Sequence, residues 1–142
     1  ISHQTTYENY LKEHSNENFD LIFDCTDNHE NKILSSQLCK KNKIAYVSIS
    51  INSTEGIYFS QNYKKDTTAC FACLFPQTDV NHRCLNSAMI GPVAGFVTSL
   101  ACTKIIFALA NSSIDLKSEI NLIDLLTSDI NKLQLADINC PH

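Results

Sequence analysis

The sequence predicts an α/β domain built on a mixed sheet, and three observations carry that expectation. Phe19-Asp20-Leu21-Ile22-Phe23-Asp24 is short and strongly apolar, and reads as a buried strand. Ile44-Ala45-Tyr46-Val47-Ser48-Ile49-Ser50-Ile51 alternates with period two, which is the mark of a strand. Between the two runs lies a stretch with helix start and stop signals. With the later segments the order becomes strand, helix, strand, strand, loop, helix and hairpin, an α/β pattern.

Each element has its own warrant. Residues 5–14 carry Tyr7, Tyr10 and Leu11 at helical spacing and predict a short surface helix. In Thr26-Asp27-Asn28-His29-Glu30, Asp27 can cap a helix and Glu30 can reach back in a capping box. The helix that follows is expected to turn Ile33, Leu34, Leu38 and Cys39 inward, and Lys40, Lys41 and Lys43 suit its C-terminus. In the alternating strand, Ala45, Val47, Ile49 and Ile51 share one face. Residues 56–63 give a further strand, and residues 76–87 are polar, without periodicity, and read as a loop. A long helix is expected over residues 88–111, where Gly91, Gly95 and Ser99 form a small-residue stripe that would let another backbone come close. Residues 120–126 and 130–135, split by Thr127-Ser128-Asp129, read as a β-hairpin.

Composition limits the function. With 142 residues, 44% of them hydrophobic, the chain can build one domain with a core. A net charge of −4 gives no basic footprint for nucleic acid. The three glycines, Gly56, Gly91 and Gly95, cannot build a Gly-rich phosphate loop. Seven cysteines without a signal peptide fit a cytoplasmic protein with reduced thiols, some of them on metal, better than a disulfide framework. Residues 88–110 carry Lys104 as their one charge and approach the length of a bilayer span. Polar and small residues dilute the segment and no basic cluster flanks it, so a buried core helix is expected rather than a membrane segment.

Cys70 and Cys73, in Ala69-Cys70-Phe71-Ala72-Cys73-Leu74-Phe75-Pro76, can grip one tetrahedral ion, and Cys140 stands alone near the other end. Structural zinc, a redox CxxC and unrelated buried thiols are the three readings. A redox pair normally opens a helix, and the surrounding Phe71, Leu74, Phe75 and Pro76 argue against a helix N-terminus, so zinc is preferred. The chain stops one residue short of a second CxxC and opens on Ile1, and both ends lead to the expectation of a piece of a longer protein. The fourth ligand would then be water, His142 or a neighbouring molecule. Asp27, just past a strand end, can hold Mg²⁺ on a triphosphate or serve as a helix cap, and position alone favours the cap. Cys84, beside Arg83 and His82, is the best nucleophile candidate among the cysteines or a loop cysteine without a role. Cys25, Cys39 and Cys102 sit in apolar runs and are expected in the core.

Five motifs, in register from Phe19 to His142, resemble the ThiF/MoeB/HesA family of adenylating enzymes related to ubiquitin-activating enzymes. Asp24-Cys25-Thr26-Asp27-Asn28 is similar to its D-x-T-D-N, and Cys70 through Pro76 to its C-x-x-C-L-F-P. Cys84 followed by Ile90-Gly91-Pro92-Val93-Ala94-Gly95 is similar to its C-x₅-V-G-P-x-x-G. Leu122-Ile123-Asp124-Leu125-Leu126-Thr127 resembles the L-x-D-x-x-T of its late hairpin, and Asn139-Cys140-Pro141 the start of its N-C-P-x-C.

The resemblance implies a Rossmann-like mixed sheet, residues 1–142 being the C-terminal part of one adenylation domain that usually works as a homodimer. It implies use of ATP to adenylate the C-terminal glycine of a ubiquitin-like sulfur-carrier protein. It places Asp27 on the Mg²⁺ with Asn28 and Lys32 beside it at the nucleotide, and makes Cys70, Cys73 and Cys140 structural Zn²⁺ ligands. Cys84 falls on the loop that crosses over the substrate tail. The departures are specific. The phosphate loop and the ATP-contacting Arg and Lys residues of the family belong upstream of Ile1, so the fragment by itself is not expected to adenylate. Lys32 stands where Arg is usual, which keeps a charge but loses a bidentate fork. Ala88 replaces a common glycine, and Lys104 and Phe107 depart from the usual helix pattern. A non-catalytic module that only docks the carrier or dimerises is the alternative from another class.

Overall fold

A computed structural model describes residues 5, 9–10, 13–14, 19–64, 69–76, 88–110, 116–135 and 140. One sheet organises them. Its strands are β1 (Leu21–Asp24), β2 (Ala45–Asn52), β3 (Glu55–Asn62), β4 (Glu119–Asp124) and β5 (Asp129–Gln134), adjacent in that same order. β1 and β2 are parallel, with Leu21 opposite Ala45 and Asp24 opposite Ser48; the other pairs are antiparallel. A parallel pair needs a crossover, and α1 (His29–Asn42) supplies it. The expected α/β mixed sheet is what forms.

Period-two alternation gives the sheet two buried faces. Ala45, Val47, Ile49, Tyr58 and Ile123 meet Val93, Val97, Ala101, Ile105 and Ala108 of α3 (Gly91–Ala110). The opposite face turns Tyr46, Phe59 and Ile120 toward Cys39 of α1 and toward Cys70, Phe71 and Ala72 around α2 (Phe71–Leu74). Gly56 is needed where β3 passes under α3, because a Cβ there would collide with the Val97 side chain.

Several expectations change. In α1 the buried positions are Lys32, Ser35, Ser36 and Cys39, whereas Leu34 is 39% exposed. The serines fit because their hydroxyls find partners: Ser35 donates to the Asn31 carbonyl at 2.7 Å, and Ser36 lies 2.6 Å from the Tyr63 hydroxyl. The helix is capped one residue later than expected, by Asn28, whose side-chain oxygen accepts from the Asn31 amide at 3.1 Å. Cys25 is exposed rather than in the core, because it follows the last residue of β1; Cys39 is buried and Cys102 half-buried.

α3 is long and apolar enough to cross a membrane by length and composition. It buries one face rather than its whole circumference, because the sheet covers one side of it. Phe96, Ile106, Phe107 and Leu109 remain exposed on the rest. Gly91, Gly95 and Ser99 are exposed as well, and apart from the helix's own adjoining residues no described atom lies within 4 Å of a Cβ placed on either glycine. The close backbone approach to α3 is made instead by Gly56. α3 is also tied to the far strands through buried Glu119, which pairs with Lys104 of α3 and, at 2.6 Å, with Lys132 of β5. Of the expected N-terminal helix, the described residues show a turn in which the His14 amide donates to the Tyr10 carbonyl at 3.0 Å.

Candidate functional site

The carboxyl end of β1 is where an open α/β sheet gathers ligands, and here it is built around a buried carboxylate. Asp24 is the last residue of β1 and only 5% exposed. Its Oδ1 accepts from the Thr26 amide at 2.8 Å and from the Thr26 hydroxyl at 2.7 Å. Its Oδ2 accepts from the Tyr46 hydroxyl at 2.9 Å, with the Lys32 carbonyl also in reach of that hydroxyl at 3.2 Å. The Lys32 ammonium lies 3.5 Å from Oδ1. Burial would raise the Asp24 carboxyl, but the Thr26 hydroxyl, the Lys32 charge, the Thr26 amide and Tyr46 together hold it below the usual carboxylate range.

Lys32 is 4% exposed and donates in addition to the Ser48 hydroxyl at 3.0 Å and the Ile49 carbonyl at 2.9 Å. An ammonium has three protons, and three acceptors surround this one. Burial lowers its pKa, against the opposing pull of Asp24. The side chain therefore points into the protein from beneath the strand ends. Asp27 and Asn28 follow on the exposed loop, with the Asn28 oxygen engaged as the cap of α1. Asp24, Thr26, Tyr46 and Ser48 are members of this cluster that were not anticipated as functional residues. The hints for Asp24 were its place at the head of the D-x-T-D-N-like run and a hydroxyl residue two positions on, a spacing that favours a local side chain-to-backbone turn.

A second cluster is built on α2 itself, from Cys70 at its N-cap, Cys73 within it, and Cys140. The Sγ atoms of Cys70, Cys73 and Cys140 all lie within 4.8 Å of one another, with Cys70 to Cys73 at 3.6 Å and Cys73 to Cys140 at 3.3 Å. Tetrahedral zinc with Zn–S bonds of about 2.3 Å needs thiolates at this kind of separation, and three thiolates suit its preference for soft ligands. Burial, and then hydrogen bonding with Cys140, pushes the Cys70 thiol up to about 12. A divalent cation reverses that, because a coordinating thiol is deprotonated by the metal's charge. The donor set fits the ion.

The expectation that the CxxC would not open a helix is corrected. Cys70 is the N-cap of α2, whose single turn forms as Cys73 and Leu74 amides donate to the Cys70 carbonyl at 3.1 and 3.4 Å. Aromatic packing outweighs the weak local propensity: Phe71 meets Phe59 edge-on at 5.4 Å between centroids and Phe75 at 4.8 Å. The turn is fastened to α1 where the Phe71 amide donates to Ser36 Oγ at 3.2 Å. Cys84 and most of the expected loop, residues 77–87, lie outside the described residues, as do Asn139, Pro141 and His142.

Solved structures share this architecture. E. coli MccB superposes with a TM-score of 0.70 at 14% identity, over 97% of this chain and 42% of MccB. PaaA superposes with a TM-score of 0.62 at 8% identity, over 92% of this chain and 46% of PaaA. At these identities the likeness is one of fold. Among curated proteins, the adenylyltransferase and sulfurtransferase MOCS3 of Caenorhabditis briggsae is 29% identical over 111 residues, covering 75% of this chain and 27% of the relative. MOCS3 of Dictyostelium discoideum is 25% identical over 114 residues, covering 78% of this chain and 26% of the relative. The chain thus spans about a quarter of the length of the curated relatives it matches. The model of the ThiF family matches residues 2–142, nearly the whole chain. The chain belongs to the ThiF family.

Proposed function

We propose that the chain forms part of an ATP-dependent adenylyltransferase that activates the C-terminal glycine of a ubiquitin-like sulfur-carrier protein. Residues 1–142 would be the C-terminal part of its adenylation domain. The observation that carries the reading is the exposed Asp27–Asn28 loop at the carboxyl end of β1, set on a buried Asp24–Lys32 pair, in a chain of the ThiF family whose relatives include two MOCS3 adenylyltransferases.

In this reading the carboxylate of the carrier's terminal glycine attacks the α-phosphorus of ATP. An acyl–phosphate bond forms, the bond from that phosphorus to the bridging oxygen breaks, and pyrophosphate leaves with the electron pair. Asp27 would hold Mg²⁺, whose charge offsets the negative charge on the phosphates. Asn28 would stand beside the nucleotide while it caps α1. Cys70, Cys73 and Cys140 would hold a structural Zn²⁺ that ties the knuckle after β3 to the chain end. Cys84 would lie on the loop over the carrier's tail, with a covalent role that Cys84→Ala tests directly: unchanged sulfur transfer would remove it.

The test is ATP–pyrophosphate exchange by the full-length protein, with zinc measured on the same sample. Exchange that needs an added ubiquitin-like carrier and is lost in Asp27→Ala, with about one zinc per chain, is the expected result. No exchange from a folded, zinc-bearing protein would overturn the enzyme reading in favour of a carrier-docking module.

A further inference from the structure

We propose that Asp24 and Lys32 are positioning residues that fix where the exposed Asp27 carboxylate stands, with Lys32 acting through Asp24 and not on the nucleotide. The inference rests on the reading of Asp27 as the group that holds Mg²⁺.

The connections run in one direction. Lys32 is anchored to β2 through Ser48 Oγ and the Ile49 carbonyl. Its ammonium faces Asp24 Oδ1 at 3.5 Å, and Tyr46, also on β2, donates to Oδ2 at 2.9 Å. The carboxylate is therefore referenced to the neighbouring strand and not only to its own. From Oδ1, two hydrogen bonds at 2.8 and 2.7 Å seize the backbone and hydroxyl of Thr26, the residue before Asp27. On the other side, the Asn28 cap fixes the residue after Asp27 onto α1. Asp27 stands exposed between two pinned neighbours.

The family resemblance places Lys32 beside the nucleotide. Its burial decides otherwise: with three acceptors around three protons, a phosphate could be reached only by breaking a buried hydrogen bond, which is costly. Removing Lys32 alone strands a buried carboxylate, which must then protonate or turn away. Either response loosens its hold on Thr26.

The experiment uses the full-length protein with Lys32→Met, the conservative Lys32→Arg, and the double variant Asp24→Asn with Lys32→Met. The double variant removes both charges yet keeps an amide oxygen for Thr26, so a folded comparison exists even where the single variant is unstable. Amide hydrogen exchange over residues 25–29 is expected to rise about tenfold in Lys32→Met, with residues 70–74 unchanged, and to be partly restored in the double variant and in Lys32→Arg. In pyrophosphate exchange, the Mg²⁺ concentration for half-maximal rate should rise several-fold while KM for ATP at saturating Mg²⁺ stays put. A raised KM for ATP with unchanged amide exchange would overturn the proposal in favour of direct phosphate contact. A uniform rise in amide exchange along the chain would overturn it in favour of a general stabilising pair. A wild-type protein without pyrophosphate exchange defeats the adenylation reading alone, because amide exchange over residues 25–29 still decides whether Lys32 holds the loop.

Discussion

His29 Nε2 lies 3.1 Å from the carbonyl oxygen of Phe75, and the His29 ring packs against Phe71 with centroids 5.8 Å apart. A carbonyl accepts, so Nε2 carries the proton in this contact. His29 opens α1 directly after Asn28, and Phe75 closes the turn that begins at Cys70. The contact is thus a strut between the Asp27 loop and the cysteine cluster. His29→Ala is expected to lower stability by about 0.5–1 kcal/mol, the worth of an ordinary hydrogen bond at an exposed site. Urea unfolding with and without a zinc chelator checks the coupling. The loss should shrink once the metal is stripped, and an equal loss in both states would mean that the strut does not sense the knuckle.

The cysteine cluster makes a sharper prediction. Cys73→Ser exchanges a sulfur 3.3 Å from that of Cys140 for a harder, less acidic oxygen. Zinc should fall well below one per chain, and the thermal midpoint should drop by about 2–4 °C for each kcal/mol lost in a domain of this size. Metal analysis paired with calorimetry measures both. A serine variant that keeps its zinc and its midpoint would show that the three thiols do not share an ion.

Gly56→Ala tests the sheet–helix contact. The new methyl meets Val97, which is fully buried, so strand or helix must shift. A cost of about 1–3 kcal/mol is expected from overpacking. Val97→Ala makes room at the same spot. In the double variant the two losses should add to clearly less than their sum, which denaturant titration of the four proteins would reveal.

Acid should weaken the fold through Asp24 and Glu119. Burial opposes ionisation at both, yet hydrogen bonds and lysine charges hold both folded carboxyls below their ordinary values: Thr26, Lys32 and Tyr46 at Asp24, and Lys104, Lys132 and Asn121 at Glu119. The unfolded chain then binds protons more readily than the folded one. The stability from these groups is fully present above about pH 4–5 and is lost as pH falls through the folded values. Urea unfolding at a series of acidic pH values should show a shallower decline for Glu119→Gln than for the parent, and an identical slope would remove Glu119 from the account.

Much of this was legible in the residues themselves. The alternation from Ala45 to Ile51 set which side of β2 faces α3, because side chains on a strand can only alternate. The run from Leu21 to Asp24 and the turn signals between residues 126 and 130 placed β1 and the last hairpin for equally local reasons. The five motifs from Asp24 to Pro141 resembled those of the ThiF/MoeB/HesA family, and the family model matches residues 2–142. What the sequence by itself could not decide was which polar groups go inside. Lys32, Ser35 and Ser36 carry no local mark of burial, and Leu34 none of exposure. Their placement follows from partners distant in sequence: Asp24, Ser48 and Ile49 around the Lys32 ammonium, and Tyr63 and Phe71 around Ser36. A buried charge or hydroxyl is tolerated only where the fold brings it a partner. That condition is met in three dimensions and not along the chain, so the tertiary structure alone made Asp24 and Lys32 the base on which the Asp27 loop stands.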